Sequence, residues 1–134
     1  MDTQRFTRDN PMRVGLGGFG NVGQTLARTL SGEAIPEARL TAISAADLDA
    51  ARARSNDMDP MPVFVSAGDL PAHADVIVEC ATGEAFPTIA RAVLNAGKIL
   101  LPVSVAALAT HPEILDLAEA GDGTMRVVTG ALPG

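Results

Sequence analysis

Tryptophan and tyrosine are missing from this sequence, and its aromatic carbocycles are four phenylalanines. Stacking platforms for single-stranded nucleic acid and most carbohydrate sites need more rings than that. Lysine occurs once, at Lys98, and ten Lys plus Arg face sixteen Asp plus Glu, for a net charge of −6. No basic surface of the kind that phosphate backbones require can be assembled from that balance. An anionic membrane surface is disfavoured on the same ground. Cys80 is the one cysteine, so an internal disulfide is impossible and a stapled, secreted scaffold is excluded. Residues 1–11 hold no apolar stretch and do not read as a signal peptide. No apolar run reaches the roughly 18 residues of a membrane span. The expectation is a cytoplasmic domain with no nucleic-acid or membrane partner.

What is present is a core-forming chain. With 134 residues, 47% of them hydrophobic and 19% charged, the length suits one globular domain. Residues 1–11 read as a tail and 12–134 as the domain. Short apolar runs alternate with helical patterns. Strands are expected at 13–17, 40–44, 63–66, 75–80, 98–103 and 125–129. Helices are expected at 21–30, with Val22, Leu26 and Leu30 on one face, at 47–54, and at 87–96, where Pro87 sits early enough to be tolerated. Thr110-His111-Pro112-Glu113 fits a capping box opening a last helix to about Ala120. The stretch between the third and fourth strands reads as loop and contains His73. The strands are continuous apolar runs, as in parallel sheets covered on both faces. Right-handed crossovers then favour an α/β, doubly wound, six-stranded sheet of Rossmann type, in the order 3-2-1-4-5-6. A five-stranded flavodoxin-like sheet is the alternative.

The segment from Arg13 to Gly23 contains G-x-G-x-x-G in two registers, one starting at Gly15 and one at Gly18. The motif must follow a strand and open a helix. The first register would lie half inside the strand, so Gly18, Gly20 and Gly23 are chosen. Gly18 then makes the tight turn, Gly20 admits a pyrophosphate to the backbone, and Gly23 lets the helix pack on the sheet. The N–H groups of Phe19, Gly20, Asn21, Val22 and Gly23 point at the phosphates, with the helix dipole favouring negative charge. Glycines at such a turn can also serve packing alone. No Gly-Lys-Ser/Thr follows, which excludes a P-loop. An acid that binds the adenosine ribose is expected about 22 residues after Gly23, at the end of the second strand. That position is Ala45. Asp47, two residues on, reads as a helix cap, and no Arg directly follows the strand. The cofactor is therefore NAD or NADP, with affinities expected within about tenfold of each other.

The glycine loop resembles homoserine and aspartate dehydrogenases alike. Residues 75–81 (DVIVECA), 96–108 (AGKILLPVSVAAL) and Thr129-Gly130-Ala131-Leu132 resemble the L-aspartate dehydrogenase family, in that order along nearly the whole chain. In homoserine dehydrogenases a lysine follows the fifth strand, where this sequence has Val105. Ala106 replaces the glycine of the aspartate family's Ser-Val-Gly-Ala-Leu, and Ala45 replaces its usual acid. The resemblance implies oxidation of L-aspartate to iminoaspartate with NAD or NADP. Iminoaspartate hydrolyses to oxaloacetate and ammonia or feeds NAD synthesis. It also implies a catalytic histidine in a second, α+β domain after the Gly-Ala-Leu segment, which contains Ala131. This chain therefore reads as the cofactor half of a two-domain, homo-oligomeric enzyme, with no catalytic residue of its own. Ligands of such sheets bind at the carboxyl ends of the strands, so Ala81, Thr82, Ser104 and Ala131 are expected to flank the cofactor. Ser104 can equally be a helix cap.

His73 and His111 read as surface or cap residues, and their separation gives no support to a metal site. Cys80 reads as an inert small hydrophobe. Glu79 is an acid in a central strand that calls for a partner, and Lys98 reads as a capping or surface residue. Two other readings stay open. One is a stand-alone nucleotide-sensing regulatory domain. The other is a dehydrogenase or reductase of the same architecture, such as homoserine dehydrogenase or dihydrodipicolinate reductase.

Overall fold

The computed structural model describes residues 6–31, 34–81, 84–103 and 105–126. Six parallel strands form one sheet in the order β3-β2-β1-β4-β5-β6. They are β1 (Met12–Gly17), β2 (Ala38–Ser44), β3 (Val63–Phe64), β4 (Val76–Glu79), β5 (Ile99–Pro102) and β6 (Thr124–Met125). The order is the doubly wound one and rules out the five-stranded alternative. Residues 127–129, the rest of the expected sixth strand, lie outside the described residues.

Among the described residues six α-helices lie between the strands: α1 (Asn21–Ser31), α2 (Leu48–Ala53), α3 (Leu70–His73), α4 (Phe86–Asn95), α5 (Val105–Thr110) and α6 (Pro112–Ala120). Side-chain alternation along the strands separates two cores. Leu16, Phe19, Ala27, Leu40, Ile43 and Ala51 fill the face under α1 and α2. Ile77, Phe86, Ile89, Val93, Leu100 and Ile114 fill the face under α4 and α6. Gly15 and Gly17 of β1 belong to this second face. A Cβ at Gly17 would lie 3.0 Å from the Ile89 side chain, so this glycine lets α4 lie close to the sheet.

Several expectations are corrected. The buried stripe of α1 is Gly23 and Ala27, not Val22, Leu26 and Leu30. Val22 is 49% exposed, while Leu26 and Leu30 only flank the core. Small residues allow a closer approach to the sheet than a leucine stripe would. His73 ends α3 rather than lying in a loop. Gly68 and Pro71 concealed this element, although a proline within the first turn costs a helix nothing. The N-cap falls one residue later than expected. Thr110 is the last residue of α5, His111 is the N-cap of α6 without a side-chain cap bond, and Glu113 accepts from Arg91 at 3.2 Å. At the other end of α4 the chain stops the helix by backbone means. Gly97 (φ +74°) donates to Leu94 O and Lys98 N to Val93 O, a Schellman pair.

Lys98 caps through its backbone, but its side chain is not a free surface charge, since its Nζ reaches Asp75 Oδ1 at 3.4 Å. Arg13 grips the same carboxylate with Nε at 3.1 Å and Nη2 at 2.8 Å. The Arg13 hydrogen bonds hold the Asp75 carboxyl below its ordinary value, against a smaller opposing effect of burial. A depressed folded-state pKa stabilises above the unfolded value and loses that stability as the pH falls through the folded one. Asp75→Asn should therefore cost about 1 kcal/mol or less at pH 7, because the side chain is 38% exposed and screened. The difference between the two proteins in urea melts should start to shrink as the pH falls below about 4 and close once the pH is below the folded-state value. A difference that does not shrink below about pH 4 would locate the effect elsewhere.

Candidate functional site

The carboxyl ends of β1, β2 and β4 meet at the turn into α1. Gly17 lies in register with Ser44 on one side and with Glu79 on the other. Three contacts fasten the turn. Gly18 N donates to Ser44 O at 2.8 Å, Cys80 N donates to Gly17 O at 2.9 Å, and the Cys80 thiol donates to Gly18 O at 3.3 Å. Gln24 Nε2 reaches back to Phe19 O at 3.3 Å.

Within this frame the three glycines differ. Gly18 has φ +113°, and a Cβ there would lie 2.6 Å from Ala81 N. Conformation and space both demand glycine. A Cβ at Gly23 would lie 2.6 Å from Gly18 O and 3.2 Å from Cys80 Sγ, so α1 can sit against the loop only without a side chain. Gly20 is the opposite case, with nothing within 4 Å of its Cβ position. The packing of the described residues does not require a glycine there. Open space above a bare backbone is what an incoming pyrophosphate needs. Gln24 N closes the first turn of α1 onto Gly20 O at 2.9 Å, and the N–H groups of Asn21, Val22 and Gly23 before it lack helical acceptors. They are ready donors to an anion, at the positive end of an eleven-residue helix with no acid in its first turn. The residues present fit a dinucleotide pyrophosphate.

The other expected positions are distributed as follows. Ala45 lies just past β2 and packs against the core under α1. Asp47 is the N-cap of α2, its carboxylate accepting from Ala50 N at 3.0 Å, as the sequence suggested. Arg52 pairs with Asp49 at 3.2 Å and lies over the Phe64 ring at 5.2 Å. Ala81 abuts the glycine loop. Thr82, Ser104 and Ala131 lie outside the described residues, as does Thr129-Gly130-Ala131-Leu132. His73 ends α3, just before β4 begins, and so lies at the amino end of the strands, away from the glycine loop. His111 lies at the carboxyl end, with its ring 6.1 Å from Phe86 and its Nδ1 3.5 Å from Glu113. Among the described residues no group of three His, Cys, Asp or Glu could hold a metal ion.

Sequence reasoning missed a cleft of about 330 Å³ beside the loop, lined by Phe19, Gln24, Arg28, Arg54 and Asp59 among others. Its residues come from α1, the end of α2 and the following loop, so no local pattern announces it. Burial pushes the Cys80 thiol up to about 12, with the neighbouring Glu79 carboxylate adding to the rise. Cys80 should therefore resist iodoacetamide at pH 8 in the native protein and react only on unfolding. Rapid native-state labelling would contradict this environment.

Sheet order, glycine loop and open crevice together define a dinucleotide-binding domain of the doubly wound class. The chain belongs to the family described as homoserine dehydrogenase, NAD binding domain, whose model matches residues 18–128. Its cofactor is accordingly NAD or NADP. The chain is similar to L-aspartate dehydrogenase 3 of Bordetella bronchiseptica, with 39% identity over 125 residues. That match covers 90% of this chain and 44% of the relative. L-aspartate dehydrogenase of Bradyrhizobium diazoefficiens is 32% identical over 96% of this chain and 45% of its own length. The resemblance read from the sequence is thus borne out, and the chain spans less than half of these relatives. Among solved structures, myo-inositol dehydrogenase from Lactobacillus casei in complex with NAD(H) and myo-inositol matches with a TM-score of 0.76. Its identity is 20%, covering 88% of this chain and 36% of that one. At that identity the likeness establishes the fold alone. Among the described residues no helix is long and apolar enough to cross a membrane.

Proposed function

We propose that this chain is the cofactor half of a cytoplasmic, homo-oligomeric enzyme that oxidises L-aspartate to iminoaspartate with NAD or NADP. The observation that carries the substrate is the 39% identity, over 90% of the chain, to an L-aspartate dehydrogenase. Val105, where homoserine dehydrogenases place a lysine, supports aspartate over homoserine. The acidic, ring-poor composition supports a small-molecule partner rather than nucleic acid. The same identity counts against a stand-alone sensor.

In this reading Gly18, Phe19, Gly20, Asn21, Val22 and Gly23 hold the pyrophosphate. Ala45 lies against the adenosine ribose, and Ala81, Thr82, Ser104 and Ala131 flank the nicotinamide side. When bound, the nicotinamide supplies the hydride acceptor. The chain's own residues bind it, orient it and keep water from one side. Acid–base chemistry belongs to a second domain, since neither histidine of this chain is assigned to it.

Calorimetric titration of the 134-residue protein tests the reading. NAD and NADP should both bind, with dissociation constants within about tenfold. Aspartate-dependent NADH formation by this chain alone should be absent. If neither dinucleotide binds at millimolar concentration, the reading fails. If only one binds, Ala45 does not leave the choice open, and its determinant is to be sought at Asp47, Arg52 or Arg54. Robust turnover by this chain would overturn the assignment of chemistry to a second domain.

A further inference from the structure

Glu79 is a fully buried acid, with 0% exposure, and the glycine-loop chemistry makes no use of it. A buried carboxylate is costly unless hydrogen bonds hold it, and an apolar side chain of similar volume would often pack at least as stably. Its location is therefore informative. Glu79 is the last residue of β4, in register between Gly17 of β1 and Pro102 of β5. It shares the α4 face of the sheet with Ile77, two residues back. Its Oε2 accepts from Ala81 N at 3.1 Å, which holds the chain as it leaves the strand. Ala81 in turn abuts Gly18, whose Cβ position would lie 2.6 Å from Ala81 N and 2.7 Å from Ala81 Cα. Cys80, between them, points to the other face and donates to Gly18 O. Residues 79–81 thus fasten the loop after β4 to the glycine loop from both faces of the sheet.

We propose that Glu79 is a positioning residue, which sets Cys80 and Ala81, where the chain leaves β4, at the height where they meet the nicotinamide half of the cofactor. The division of labour follows from the fold. A doubly wound sheet consists of two mononucleotide-binding halves, with β1–β3 on the adenosine side and β4–β6 on the nicotinamide side. A displaced loop after β4 should therefore weaken the dinucleotide while sparing a ligand that occupies only the first half. The proposal rests on the dinucleotide reading above.

The test compares NAD with ADP on the 134-residue protein by calorimetry, using the ratio of the two affinities as the readout. Glu79→Met keeps the volume and removes the acceptor. Glu79→Asp keeps the charge and withdraws the acceptor by one methylene. Each should lower NAD affinity about tenfold, the scale of a lost hydrogen bond to a charged group, and leave ADP affinity within about twofold. Glu79→Gln retains an acceptor and should restore the wild-type ratio. A purely structural role would lower both affinities together with the melting temperature, and that result overturns the proposal. So does an unchanged ratio in a folded Met or Asp variant. Should Glu79→Met fail to fold, the Asp and Gln variants decide alone. Wild-type protein that binds neither ligand would instead sink the dinucleotide reading.

Discussion

Gly20→Val should abolish measurable dinucleotide binding and leave the melting temperature nearly unchanged, whereas Gly18→Ala should do most of its damage to the fold. The two residues are separated only by Phe19, and the difference is steric. A side chain at Gly20 enters open space, with nothing within 4 Å, so folding meets no obstacle. The same side chain fills the place where a pyrophosphate must approach the backbone, and an affinity loss of at least about a hundredfold, roughly 2.7 kcal/mol, is expected. At Gly18 the backbone has φ +113° and a Cβ would lie 2.6 Å from Ala81 N. Strain of about 1–3 kcal/mol adds to a comparable overpacking cost. Against a total stability of about 5–15 kcal/mol, that is a large fraction. Thermal melts and calorimetric titration of both variants check the pair. Equal loss of binding and stability at Gly20 would mean that the loop is only a turn.

Phe86→Ala should be the most damaging of the simple core truncations, at about 3–5 kcal/mol. The ring has 0% exposure and opens α4, packed in the larger core with Ile89, Val93 and Ile114. It lies in contact range of His111, so it holds the start of α6 as well as its own helix. Chemical denaturation should show a lower midpoint with an unchanged slope. A loss below about 1 kcal/mol would mean that α4 readily repacks.

Strands one to five and their order were legible because parallel strands are buried on both faces and therefore read as unbroken apolar runs. The glycine register was legible for a similar reason, since only the choice of Gly18 sets the motif between a strand and a helix. What escaped had several separate causes. Glu79 presented only a misplaced charge, because its acceptor role involves a backbone N–H that no pattern reveals. Val22, Leu26 and Leu30 do share a face of α1, but 3.6-residue periodicity does not reveal that a glycine–alanine stripe is the one buried. The single-turn α3 was too short to show any period, and a capping box was read where α5 was still running. The cleft by Phe19 draws on three separate segments and has no signature in any one of them.

The strand order places the first strand synthesised at the centre of the sheet. β1 contacts β2 at a separation of 27 residues, through Thr41 and Val14, and the β4 side at 62, through Arg13 and Asp75. One edge of β1 therefore stays unpaired while more than half of the domain has yet to leave the ribosome. Contacts of such range make for slow folding, and an open apolar edge is a template for pairing with other chains. The nascent chain is most vulnerable between the emergence of β2 and that of β4, before the crevice exists and before any cofactor could stabilise it.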